Sequence, residues 1–190
     1  LNSGSTIRYS QGFGISDRRI YLQGEGFFSV KHNERLPLCI VTKDVVLHDL
    51  GTAFKVSNYQ EDQHATISLY EGELSIDNLI SQQKGLAVKP GERIVVDKTT
   101  GQLHKESIKE TMDEGASMNT LYFDNQPLEM IAPVLSRNFG VPIEVDKEVR
   151  SKRFYLIFNK RTSNIEQILQ TMTQTGHVKC RWADGCYRLY

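Results

Sequence analysis

The chain has 190 residues, and its 23 Lys plus Arg balance 23 Asp plus Glu, so no net field draws it to nucleic acid or to an anionic membrane. That length can bury one large core or two small ones. No apolar run approaches the roughly 20 residues of a membrane helix, no signal-peptide pattern opens the chain, and Cys39, Cys180 and Cys186 are too scattered for a disulfide framework or a zinc site.

Thr6–Tyr9 reads as a short strand closing at Ser10-Gln11-Gly12. In Arg19–Val30 the even positions Ile20, Leu22, Phe28 and Val30 share a face, and Gly24 and Gly26 between them mark a close backbone approach or a bend. Gly24-Glu25-Gly26 lacks the third glycine and the following helix of a dinucleotide fingerprint. Pro37–Thr42 begins another strand, with Cys39 as a small core residue. Asp44–Ile76 organises the region. Val46, His48, Leu50, Thr52, Phe54 and Val56 alternate as one strand face, and Ala65, Ile67 and Leu69 resume the pattern beyond a polar turn. Glu71-Gly72 then shifts the phase to Leu74 and Ile76, so Gly72, like Gly51, reads as a bulge or corner. Lys89-Pro90-Gly91-Glu92 suits a type II turn between Leu86–Val88 and Ile94–Val96. Thr99-Thr100-Gly101 turns into a last short strand at Leu103. The expectation over 1–104 is an all-β domain: a sandwich, roll or solenoid.

Lys105–Asn119 is charged and rich in small residues, and it predicts a linker over 105–119. Over 120–190 strands and helices alternate. After Leu121–Phe123, Asp124 or Asn125 can cap a helix through Leu128, Ile131, Leu135 and Phe139 to Gly140, which Pro133 should kink near Glu129. Val141–Val145 and Phe154–Phe158 are strands. Ser163 or Asn164 caps a second helix with Ile165, Ile168, Leu169 and Met172 on one face, closing at Gly176. Val178–Trp182 and Cys186–Tyr190 form a hairpin about Asp184-Gly185. The order β-α-β, β-α-β-β predicts a small α+β domain with two helices on one face of a small sheet. A two-residue turn pairs Ala183 with Cys186 and Trp182 with Tyr187. Cys180 and Cys186 then fall on opposite faces, which argues against a bridge between them.

The chemistry-bearing residues do not assemble in sequence. The five histidines stand singly, with no partner at metal-ligand spacing, and there is no nucleophile elbow or phosphate loop. Glu25, Glu71 and Glu73 sit at turns, where a carboxylate pair for glycoside hydrolysis is conceivable but a solvated carboxylate is the ordinary outcome. Lys147, Arg150, Lys152, Arg153, Lys160 and Arg161 are interleaved with Glu144, Asp146 and Glu148, as on a solvated face. No enzyme activity, cofactor, metal or nucleic-acid partner is expected. A binding module remains. Arg181, Arg188 and Tyr190 of the last hairpin are its candidate partner-binding residues, beside an edge strand open to strand addition, while Trp182 and Tyr187 pair across the strands over the helices.

Five landmarks in order carry a resemblance: Leu1–Ser5, Tyr21–Val30, Leu50–Val56, Leu69–Gly72 and Lys89–Glu92. They resemble the FecR family, anti-sigma regulators of iron and polysaccharide uptake. Leu121-Tyr122-Phe123, Pro127-Leu128 and Val141–Val145 are similar to that family's C-terminal domain, itself like the short N-terminal domain of secretins and TonB-dependent receptors. The resemblance implies the periplasmic part of an inner-membrane-anchored regulator that lacks its first strands, its membrane helix and its cytoplasmic anti-sigma segment, in keeping with a chain that opens on Leu1 rather than Met. The implied partners are the N-terminal signalling domain of a TonB-dependent transducer and, through the missing segment, an extracytoplasmic-function sigma factor. Under it, Gly24, Gly26, Gly51, Gly72, Pro90 and Gly91 are turns of a sensor scaffold. The alternative class is a periplasmic carbohydrate-binding or hydrolysing β-domain, whose sign would be an aromatic platform or a close carboxylate pair in an open groove.

Overall fold

The alternation in Arg19–Ser29 becomes an 11-residue strand, long enough to serve both halves of a curled sheet. The structure, a computed structural model, describes residues 1–49, 51–108, 111–112 and 119–190. The chain divides into two units, Leu1–Ala116 and Ser117–Tyr190.

The first unit runs β1 (Thr6–Tyr9), β2 (Arg19–Ser29), β3 (Leu38–Val41), β4 (Val45–Asp49), β5 (Ala53–Asn58), β6 (His64–Glu71), β7 (Leu74–Asn78), β8 (Gln83–Val88), β9 (Glu92–Asp97) and β10 (Leu103–Ser107). Among the described residues these ten strands form one sheet in the order β10-β9-β6-β5-β2-β3-β4-β7-β8, with β1 also paired to β2. The division falls within β2. Arg19–Tyr21 pairs in parallel with β3, whereas Gly24–Ser29 pairs antiparallel with β5. The halves then share one core, Ile20, Ile40, Leu47 and Ile76 from one meeting Phe54, Ile67, Leu69 and Ile94 from the other. Each such side chain, fully buried, contributes about 1.5–3 kcal/mol of transfer free energy.

The stretch Asp44–Ile76 departs from its sequence reading in one respect. Val45, Leu47 and Asp49 point inward, while Val46 is half-buried and His48 is exposed; the expected face is buried from Thr52 through Phe54 and Val56. The cause is Gly51. There the chain leaves β4 in one half of the sheet for β5 in the other, and a bulge between Ala53 and Phe54 resets the phase. Leu50 lies outside the described residues. Gly51 has φ +137°, and a Cβ there would sit 2.6 Å from His32 Cα; at Gly72, with φ +86°, it would sit 2.3 Å from the Gly51 carbonyl oxygen. The two crossings therefore lie against each other, a contact only glycine permits. Buried Asp49 holds this corner, its Oδ1 accepting from the Gly51 N–H at 3.0 Å and from the Thr52 hydroxyl.

Gly24 lies where Ser5 crosses β2, and Gly26 beneath the Phe28 ring. At Lys89–Glu92, the Glu92 N–H donates to the Lys89 carbonyl at 3.0 Å about Pro90-Gly91. β10 reaches Ser107, so Lys105–Ser107 of the expected linker are sheet; residues 109, 110 and 113–118 of that segment lie outside the described residues.

The second unit runs β11 (Thr120–Pro127), α1 (Leu128–Phe139), β12 (Ile143–Val145), β13 (Arg153–Asn159), α2 (Ile165–Thr175), β14 (Cys180–Ala183) and β15 (Cys186–Leu189). This is the expected order, but the single small sheet is corrected to two. β11 pairs with β13, and β12 pairs in parallel with β15, which also pairs with β14. α1 packs against both β11 and β12, and α2 against β14. Leu121, Phe123, Phe154 and Leu156 of one sheet and Leu189 of the other close on Leu128, Ile131, Leu135, Ile168 and Met172 between them.

The start of α1 also differs from expectation. Asn125, with φ +52°, sits in a bulge of β11, and Pro127 precedes the helix without a side-chain cap. The N–H groups of Leu128 and Glu129 instead donate to the carbonyls of Lys152 and Arg150 at 2.8 and 3.0 Å, a tertiary substitute for a cap. α1 continues through Pro133 to Gly140. At α2, Asn164 and Gln167 form a reciprocal capping box. Lys152 Nζ donates to the carbonyls of Gly176 and His177 beyond its other end.

Candidate functional site

The β14–β15 hairpin turns at Asp184 and Gly185, both at positive φ, as a two-residue type I′ turn requires. Its register pairs Ala183 with Cys186, Trp182 with Tyr187 and Arg181 with Arg188. One face, Cys180, Trp182, Tyr187 and Leu189, looks toward the helices. The Trp182 and Tyr187 rings meet edge to face with centroids 4.6 Å apart, and the Tyr187 hydroxyl donates to Glu166 Oε1 on α2 at 3.0 Å. Burial first, and then the Glu166 carboxylate, push the Tyr187 phenol above its ordinary pKa. Trp182 stays 56% exposed. Cys180 and Cys186, on opposite faces, are free thiols, as is Cys39.

The other face brings together the three candidates Arg181, Arg188 and Tyr190. Arg188 Nη2 donates to Glu144 Oε2 at 2.5 Å and its Nε lies 3.8 Å from Asp146 Oδ1, both acids belonging to or following β12. Those carboxylates raise the Arg188 pKa further. The Arg181 guanidinium lies 5.4 Å from the centroid of the Tyr190 ring. The two arginines, opposite each other in register, are thus held by different partners of the same sheet. Arg188 and Tyr190 belong to β15 and its continuation, in the middle of that sheet; its edge strands are β12 and, within the hairpin, β14.

A second surface in this unit went unread in the sequence. On β11 and β13 the side chains away from the core include Tyr122, Tyr155 and Ile157, exposed by 55%, 71% and 66%. The signal was present: Phe154–Phe158 is apolar at every position, so a strand there is apolar on both faces.

In the first unit two shallow grooves open. One, of about 560 Å³, lies where β2 parts from β3 and is lined by Arg8, Tyr21, Gln23, Lys43 and Gln60 among others. Tyr21 is the one aromatic among its described lining residues. The other, of about 520 Å³, has His48, Glu73, Ser75 and Lys89 in its walls, with Glu73 as the one carboxylate among its described lining residues. Glu71 and Glu73 are exposed, and Glu25 is paired with Lys55 at 3.2 Å and with Asn2. His48, His64 and His32 stand 3.1, 3.9 and 3.4 Å from Asp77, Asp97 and Glu34. No group of three metal-ligating side chains occurs among the described residues, and no helix among them is long and apolar enough to cross a membrane.

The chain is thus a curled β sheet followed by a small two-sheet α+β unit, with Tyr122, Tyr155 and Trp182 among its exposed aromatic side chains. The family described as FecR protein matches residues 1–75, and FecR, C-terminal, matches residues 120–187. Two crystal structures, each of a candidate anti-sigma factor from Parabacteroides distasonis ATCC 8503, at 1.65 and 2.50 Å, are similar over 100% of this chain. Both are 26% identical to it, with TM-scores of 0.87 and 0.86, over 88% and 87% of their own chains. No curated protein matches the chain. The chain belongs to the FecR family and is a signal-transducing regulator of the anti-sigma class.

Proposed function

We propose that this chain is the periplasmic, signal-receiving part of a membrane-anchored sigma regulator. It takes its signal by contact with the N-terminal signalling domain of a TonB-dependent outer-membrane transducer serving iron or polysaccharide uptake. The extracytoplasmic-function sigma factor is engaged by a cytoplasmic segment outside this sequence. The observation that carries the reading is the ordered pair of FecR matches, over residues 1–75 and 120–187, in one chain similar throughout to candidate anti-sigma factors. The second unit is the docking module in this reading, because its β sheets end in edge strands and expose aromatic side chains. Titration of the chain with the purified signalling domain of a TonB-dependent transducer from the same organism, followed by calorimetry, tests this. Saturable binding at micromolar concentration is expected. No heat of binding at high micromolar concentration overturns it.

A further inference from the structure

β13 is written as a strand covered on both faces but, among the described residues, has a covering layer on only one. Phe154 and Leu156 enter the core between the sheets, while Tyr155 and Ile157 point the other way, 71% and 66% exposed. Tyr122, the register partner of Ile157 on β11, is 55% exposed beside it. Aromatic side chains offer about 200 Å² each, so the three together leave about 350–400 Å² of contiguous, largely apolar surface in water. The largest apolar patch on a soluble monomer is typically about 300–600 Å² and is often a functional one.

Area and charge narrow the occupant. A stable dimer covers about 800 Å² on each partner, roughly twice what this patch supplies, so the patch suits a transient contact rather than permanent pairing with a second copy. Along β13 exposed Arg153 precedes the apolar run Phe154–Phe158, and beyond Asn159 the turn carries Lys160 and exposed Arg161. The Arg153 Nη1 bonds the neutral carbonyl of Asn125 at 2.6 Å, which leaves its charge available to a partner. An apolar strip between two cations is complementary to an apolar strip between carboxylates. The hairpin of the other sheet differs, because Glu144 and Asp146 already neutralise Arg188 there.

We propose that the outer face of the β11–β13 sheet, centred on Tyr155, Ile157 and Tyr122, is the surface on which the signalling partner docks. The partner is a folded protein domain presenting an apolar strip flanked by carboxylates and engaged reversibly. The assignment rests on the reading above, in which that partner is the transducer's signalling domain.

The test titrates the whole chain with that purified signalling domain at low and high salt. Tyr155→Thr with Ile157→Thr keeps β-branched or β-compatible residues in the strand and should weaken binding about 30-fold or more, as loss of two central anchors does. Tyr155→Asp alone, which sets a carboxylate against an acidic partner, should weaken it about 10-fold and serves if the double variant does not fold. Folding is followed by the fluorescence of Trp182. Arg181→Ala should bind within twofold of wild type, and binding should fall as salt rises. If wild type binds and the patch variants bind equally well, the surface is wrong while the regulator reading stands. If wild type does not bind the domain, both fall. If sedimentation shows wild-type dimers that the double variant loses, a second copy is the occupant and the proposal is overturned.

Discussion

Gly72→Ala tests the curled sheet most directly, because a second glycine supplies its control. Gly72 and Gly91 have nearly the same φ, +86° and +84°, yet their surroundings differ completely. A Cβ at Gly72 would stand 2.3 Å from the Gly51 carbonyl oxygen, 2.7 Å from Thr52 Cγ2 and 3.0 Å from Thr52 Cα, whereas at Gly91 it would meet nothing within 4 Å. The nearest atom at Gly72 is backbone, so it cannot swing aside. Both substitutions carry the left-handed penalty of about 1–2 kcal/mol; only Gly72→Ala adds overpacking, about 1–3 kcal/mol more. The sum, about 2–5 kcal/mol, is a large share of the 5–15 kcal/mol that holds a typical domain. Urea unfolding resolves the two effects, since Trp182 is the single Trp and reports the second unit, while β-sheet circular dichroism is dominated by the first. With a slope of about 2 kcal/mol per molar urea, Gly91→Ala should lower the dichroism midpoint by about 0.5–1 M and Gly72→Ala by about 1–2.5 M. The Trp182 transition should stay in place. Equal shifts for the two variants would refute the packed-corner argument, and a Trp182 transition that moved with the dichroism would refute its confinement to the first unit.

Asn164→Ala removes the side-chain half of the α2 capping box, the Oδ1 that accepts from the Gln167 N–H, while the backbone N–H of residue 164 can still donate to Gln167 Oε1; it should cost about 1 kcal/mol, read as a lower urea midpoint for Trp182 fluorescence with the dichroism of the first unit unchanged. In the first unit, Asp77 is held below its ordinary pKa chiefly by the Gly85 N–H and then by His48, and Asp97 chiefly by the N–H of Thr100. A depressed carboxylate stabilises the fold fully above its unfolded pKa, about 3.9, and that stability is lost as pH falls through the lower folded value. The dichroism midpoint should therefore hold from neutrality to about pH 5 and drop below about pH 4; a flat midpoint down to pH 3 contradicts the assignment. Alkylation in denaturant without reductant should label Cys39, Cys180 and Cys186 alike, and a product carrying one alkyl group instead of three, with Cys180 and Cys186 unlabelled, would mean that the hairpin register is wrong.

The strands of the first unit were legible wherever alternation ran between Gly or Pro turns. β2 and the β5–β6 hairpin are examples, because period two is a local property. The Val46–Val56 stretch misled for a physical reason. Apolar residues of both parities flank Gly51, and only the crossing between sheet halves decides which parity faces the core. Helix termini divide in the same way. Asn164 caps α2 through its own side chain and Gln167 three residues on, so the sequence carries the signal. At α1 the first N–H groups are met by the carbonyls of Lys152 and Arg150, more than twenty residues away in sequence, and Asp124 and Asn125, though good capping residues by type, sit in a strand bulge instead. The separation into two sheets is equally nonlocal. It depends on β12 choosing β15 in parallel rather than joining β11 and β13.

At the candidate site, residue type and residue circumstance point in different directions. The register of the last hairpin was readable because Asp184-Gly185 can form a tight turn, and it placed Trp182 against Tyr187 correctly. Arg181, Arg188 and Tyr190 were singled out because such residues are enriched at interfaces. Enrichment does not say whether a group has already met its partner. Arg188 meets Glu144 and Asp146 of a strand more than forty residues earlier in the chain, and Arg181 lies over Tyr190. Removing the Arg188 charge would chiefly disturb its own sheet, and exposed pairs of that kind are worth about 0–1 kcal/mol. Tyr122, Tyr155 and Ile157 are ordinary strand residues by type, and no motif marks them. What distinguishes them is that their neighbours Phe154 and Leu156 already fill the inner face, so apolar residues at the alternate positions have no core left to enter. A strand apolar on both faces in a sheet covered on one is therefore a stronger sign of a docking surface than the arginines and aromatics of the hairpin.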